Sequence, residues 1–145
     1  MKPKPHRSRR GTALIEAALT LTLFLTILFS IYDFGFTLFL HQTLVHRART
    51  GARYAAINPA DLAGAKNLVL YDQNTAAQTL LAAAGTAGTF GVLPSNVTVA
   101  RTGTAGTTED RISVNIDGYH FLFISMGFAG THAGKAIHVS VPVEN

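Results

Sequence analysis

The residues with the most chemical consequence stand near the start of the chain. Glu16 lies four positions into an apolar run that begins at Thr12, and Arg9-Arg10-Gly11 stands immediately before that run. A charged side chain at the centre of a bilayer costs about 2.5–3.5 kcal/mol on insertion scales, and less near an interface. Glu16 therefore has to sit near a membrane surface, be protonated, or meet a cation. Hydrolysis of the Gly11–Thr12 bond would supply the cation, because it creates an ammonium group at Thr12 and makes Glu16 the fifth residue of the product. In a helical assembly the carboxylate of one copy can meet the terminal amine of its neighbour, and the two neutralise each other in a low dielectric. Pairing within one chain is the alternative.

The element that must position Glu16 is a long helix. From Thr12 to Leu40 there are 29 residues with two charges, Glu16 and Asp33, and no proline. Spanning the hydrocarbon takes about 20 residues, so the run predicts a transmembrane helix. A cleaved secretory signal would have an apolar region of roughly 7–15 residues and a small-residue cleavage site. This run is longer, and HQTLVHR follows it. The first strong helix breaker is Asn58-Pro59, which predicts helix from Thr12 to Ala56, roughly 67 Å at 1.5 Å per residue. About half of it is expected to project from the bilayer as a stalk.

Ala18, Thr22, Thr26, Ser30, Asp33 and Thr37 follow steps of three and four, which places them on one stripe of the helix. Small and hydroxyl residues at that spacing suit close packing between membrane helices, with Asp33 also needing a partner. The competing reading is that the hydroxyls bond back to carbonyls of their own helix. Phe24, Leu28, Ile31, Phe34 and Leu38 lie on other faces and suit lipid or bulky neighbours. Arg47, Arg49 and Arg53 are candidates for contacts with lipid headgroups or with acids of adjacent stalks.

Three segments, ALIEAAL, IYDFG and ARTGARYAA, follow RRG in order. With the glycine-ended basic leader and a glutamate five residues on, the arrangement resembles the type IV pilin class. More closely, over Arg9 to Ala56, it resembles the TadE-like family of small pilin-like proteins of tight-adherence (Flp, type IVc) pilus systems. The resemblance implies a minor pilin or pseudopilin that takes part in pilus assembly. It implies leader cleavage between Gly11 and Thr12 by a prepilin peptidase, with Glu16 as the assembly carboxylate. The implied partners are membrane lipid, the peptidase, other pilins or pseudopilins and the assembly platform. The implied location is the bacterial inner membrane, single-pass, with the C-terminus periplasmic and a place in an extracellular pilus after assembly. Asp33 stands where a glutamate is common in the family. The alternative from another class is an uncleaved signal-anchored module that binds an envelope partner.

Composition narrows the remaining functions. The net charge is +4, but Lys2, Lys4, Arg7, Arg9 and Arg10 supply five of the twelve basic residues. Beyond residue 11, seven basic side chains face eight acidic ones, so the basic character belongs to the leader and no nucleic-acid partner is expected. A basic segment before a hydrophobic run also predicts a cytoplasmic N-terminus. Cysteine is absent, which excludes disulfides, thiolate metal sites and a thiol nucleophile. His41 and His46 miss the i, i+4 spacing of a zinc helix. The run from Gly130 to Lys135 is one residue short of a phosphate loop. Asp117, His120 and Ser125 lack the context of a nucleophile elbow, so neither an enzyme nor a cofactor is expected.

The remaining chain predicts a small α+β head. Residues 57–74 read as a turn-rich connector and Thr75–Ala84 as a short helix ended by Gly85. Val97–Arg101, Ile112–Ile116 and Ile137–Val143 alternate in hydrophobicity and predict three antiparallel strands. Pro142 places the third at a sheet edge. YHFLFISMGF reads as a strand extension or a docked turn. The expected organisation is a leader over 1–11, a transmembrane and stalk helix over 12–56, a connector over 57–74 and a head over 75–145.

Overall fold

The computed structural model describes residues 9–75, 78, 81, 82, 84–124 and 130–143. The chain is α+β, with a long apolar N-terminal helix, a second short helix and antiparallel sheets. Helix α1 runs over Arg9–Ile57 and stops where Asn58-Pro59 forbids another turn. It contains the one helix among the described residues long and apolar enough to cross a membrane.

Where a turn-rich connector was expected, helix α2 occupies Leu62–Tyr71. Asp61 starts it: one carboxylate oxygen accepts the Gly64 N–H at 2.8 Å, and the other accepts the Tyr54 hydroxyl at 2.7 Å. The cap therefore also ties α2 to α1. Asp72 closes α2 in the left-handed conformation, its N–H donating to the Leu68 carbonyl. Half of the residues of the expected helix at Thr75–Ala84 lie outside the described ones, and Gln78, Leu81 and Ala82 among the described half are helical.

Strands β1 (Val97–Thr102), β2 (Arg111–Ile116) and β5 (Ile137–Pro142) form a three-stranded antiparallel sheet in the order β1-β2-β5. Val114 pairs with Val99 on one side and Val139 on the other, so the alternating positions are in register across the sheet. Pro142 lies on an edge strand, where its missing N–H is tolerated. Between β2 and β5 the chain makes a second antiparallel pair, β3 (His120–Phe123) with β4 (Gly130–Ala133). The described part of the apolar stretch after Gly118 thus contains a strand with its own partner, and residues 125–128 of that stretch lie outside the described residues.

The core forms where the C-terminal half of α1 meets the sheet. Leu40, Leu44, Ala48, Ala52, Ala55 and Ala56 are buried, together with Val69 and Leu70 of α2 and Val97, Ile112, Val114, Ile116 and Ile137 of the sheet. One face of this half of α1 is therefore part of the head's core instead of standing free of it. Alanines at near-helical spacing leave a flat face on which α2 and the sheet lie close. Gly51 takes this to its limit, because a Cβ there would stand 2.6 Å from Val69 Cγ2 and 3.0 Å from the Ala65 carbonyl oxygen. By contrast, residues 11–25 carry no buried side chain.

Candidate functional site: the long apolar helix and its junction with the head

Gly11, Thr12 and Glu16 all lie on the first turns of α1, and Glu16 is exposed. The helix is continuous through this region, and Glu16 sits about 26 Å along the axis from Asp33 at 1.5 Å per residue. The two acids are therefore separate features with different surroundings.

The polar stripe divides in two. Thr22 donates to the Ala18 carbonyl, Thr26 to Thr22 and Ser30 to Thr26, at 2.7–2.8 Å. Thr37 does the same to Asp33 at 2.9 Å. These are the back-bonds that let hydroxyl residues sit in an apolar helix without an outside donor or acceptor. Ala18 and Thr22 are exposed, Thr26, Ser30 and Thr37 are half-buried, and Asp33 is only 5% exposed. The Asp33 carboxylate accepts the Ile124 N–H at 3.0 Å. This partner is a backbone amide of the same chain, one residue past the end of β3.

Strand β3 runs back along α1 toward Asp33. At its head end the Tyr119 hydroxyl donates to the Lys135 carbonyl at 2.9 Å and lies 2.9 Å from His41 Nδ1. A hydroxyl has one proton, so Nδ1 of His41 is the donor in the second bond. Burial raises the Tyr119 pKa, favouring the neutral phenol. Gly134 completes the joint, since a Cβ at that position would run into the Tyr119 ring. The glycine-rich stretch near Lys135 thus serves close packing. Tyr119, Phe121, Phe123 and His132 form a run of ring contacts with centroids 4.7–6.0 Å apart.

The three arginines also separate. Arg47 donates to the Leu70 carbonyl at 3.3 Å and stands 5.6 Å from the centre of the Phe90 ring, so it fastens α1 to the end of α2. Arg49 and Arg53 are exposed, one helical turn apart. Among the described residues no group of three or more acids and histidines is placed to hold a metal ion. His120 is exposed on β3, and Ser125 lies outside the described residues.

The model of the family described as TadE-like protein matches residues 11–53. Over this segment the chain is similar to the TadE-like family. No curated protein and no solved structure matches it. The matched segment covers the bare N-terminal half of α1, the Asp33 junction and most of the core-forming half. Its later portion, Ala48 to Arg53, contains the face that receives α2, so the TadE-like segment carries both a membrane-anchoring length and a docking surface for the head. The family is consistent with a part in Tad pilus assembly alongside pilus-assembly partners, and is generally non-enzymatic.

Sequence reasoning missed α2, the Asp33–Ile124 contact and the Tyr119 joint. Signals for the first were present: Asp61 before LAGAKNLVLY, with Ala65 and Val69 four apart. The other two join residues far apart in sequence, and no local pattern announces them.

Proposed function

We propose that the protein is a minor pilin or pseudopilin of a tight-adherence (Flp-type) pilus, processed after Gly11 by a prepilin peptidase. It would be held in the inner membrane by α1, N-terminus cytoplasmic, and drawn into a helical bundle with other pilins on the assembly platform. The observation that carries this reading is the asymmetry of α1 within the TadE-like segment. The outer half is covered by the chain's own head, whereas residues 11–25, with Glu16 among them, have no protein cover.

Lipid covers that surface before assembly, and neighbouring α1 helices cover it afterwards. Ala18 and Thr22 supply small side chains for close approach. Because the Thr22 hydroxyl is already bonded within its own helix, close packing contributes more there than hydrogen bonds between subunits. Glu16 provides the specific polar contact, meeting the Thr12 amine made by cleavage. Pairing removes two charges that would each be costly in hydrocarbon.

Mass spectrometry of protein purified from membranes of cells carrying the matching peptidase tests the cleavage, with a mature N-terminus at Thr12 expected. An intact Met1 there would sink it. Glu16→Ala is expected to leave insertion unchanged and to reduce assembly strongly. Normal pilus formation by that variant would remove the role given to the carboxylate.

A further inference from the structure

The far end of β3 reaches a level on α1 that belongs to the apolar part of the helix. Tyr119 bonds His41 and Ile124 bonds Asp33, so the strand descends eight helix positions, about 12 Å, toward the N-terminal half. Phe34, Leu38 and Phe39 are exposed on α1 beyond that level, on the head side. The band of exposed large apolar residues on α1 runs from Leu14 to Phe39, about 38 Å at 1.5 Å per residue, against a hydrocarbon core of about 30 Å. Asp33 and Ile124 therefore lie within that band.

At this end of β3 the outward positions are Leu122 and, one residue past the strand, Ile124, 65% and 57% exposed, while Phe121 and Phe123 turn toward the aromatic run. Two large aliphatic side chains thus extend the apolar band sideways from the helix onto the head. The Asp33 contact fits the same location. A backbone N–H at the hydrocarbon edge has no water to bond and must be satisfied internally, and the carboxylate satisfies it. The amide in turn gives an acid in an apolar helix a donor.

We propose that β3 is a membrane-interface element. Leu122 and Ile124 insert into the leaflet from which the head emerges, and Asp33 clamps the strand end to the helix at that depth. The head then lies on the bilayer surface instead of standing away from it on a stalk. This rests on the reading of α1 as the membrane anchor. Continuity of Leu122 and Ile124 with the exposed apolar band of α1 favours lipid over a second copy of the chain as the occupant.

The natural chain has no cysteine, so single-cysteine variants of the full-length protein can be labelled cleanly. Leu122→Cys, Ile124→Cys, Leu28→Cys and Thr104→Cys would each carry an environment-sensitive fluorophore in vesicles of phosphatidylcholine and phosphatidylglycerol. Leu28 is an exposed residue of the proposed span, and Thr104 is exposed in the β1–β2 loop. That loop is distal, because Ile112 beside it packs with Ala55 near the end of α1. Lipids bearing a shallow spin label are expected to quench positions 122 and 124, and lipids bearing a deep acyl-chain spin label position 28, while aqueous iodide quenches 104. Iodide quenching of 122 and 124 with lipid quenching of 28 intact would overturn the interface proposal and leave the anchor standing. Absence of lipid quenching at 28 would overturn both. Excimer emission between pyrene labels at 122 without lipid quenching would overturn it in favour of contact between copies.

Discussion

At the scale of single residues, the acids of this chain do three different kinds of work. Glu16 is exposed and available to another molecule, Asp33 satisfies a backbone amide, and Asp61 and Asp110 organise the head. Asp110 accepts two bonds from the Arg101 guanidinium, at 2.8 and 2.5 Å, and a third from the Gly106 N–H at 3.1 Å. The guanidinium bonds hold the Asp110 carboxyl below its ordinary range. The Tyr54 hydroxyl, then the Gly64 N–H, does the same for Asp61. Groups with lowered pKa in the folded state stabilise it above their unfolded pKa, about 4, and that contribution is lost as pH falls through the folded value. The head is therefore expected to lose stability progressively in acid below about pH 4. Asp110→Asn should lower the unfolding midpoint at neutral pH and flatten that acid decline, read by circular dichroism melts in detergent at pH 7 and pH 3. An unchanged acid slope would show that this pair does not set it.

At the scale of elements, α1 is two helices in function though unbroken in structure. The N-terminal half is bare and apolar; the C-terminal half is lined with alanine and glycine because other elements of the same chain press against it. Gly51 distinguishes the two regimes when compared with Gly35, where an added Cβ meets no atom within 4 Å. Replacing glycine by alanine inside a helix favours folding by roughly 0.5–1 kcal/mol. At Gly35 that gain stands alone. At Gly51 it is opposed by contact with Val69 and the Ala65 carbonyl, and overpacking typically costs about 1–3 kcal/mol. Gly51→Val, with a bulkier side chain and a lower helix propensity, is expected to destabilise the head by about 1–3 kcal/mol, while Gly35→Ala leaves it unchanged or slightly more stable. Chemical denaturation in micelles, followed by tyrosine fluorescence, reads both. Equal effects at the two positions would remove the close-packing explanation.

At the scale of the whole molecule, the head includes the second half of α1. A fragment of residues 57–145 lacks Leu40, Leu44, Ala48, Ala52, Ala55 and Ala56, the helix face on which the sheet and α2 close their core. It is expected to be unfolded, with no cooperative melt and poorly dispersed amide resonances. A fragment of residues 36–145 retains that face and should show both. A folded 57–145 fragment would return the C-terminal half of α1 to the role of a free stalk.

The long apolar helix, its end at Asn58-Pro59 and the three main strands were legible in the sequence because each follows from local chemistry: hydropathy over a span, a missing amide, a period of two. The TadE-like segment was legible too, because its marker residues are close together in the chain. The sequence did not disclose what each face of α1 meets. Alanine in a helix suits solvent, lipid or a packed neighbour equally well, so only the tertiary arrangement could make Ala48, Ala52 and Ala55 a core instead of a stalk. Asp33 shows the same limit more sharply. Its position in an apolar run announced the need for a partner, and one partner the fold supplies is the backbone N–H of a residue 91 positions away. That choice was made by the fold of β3 against α1, because every residue but proline carries the same amide and only packing brings one of them within reach.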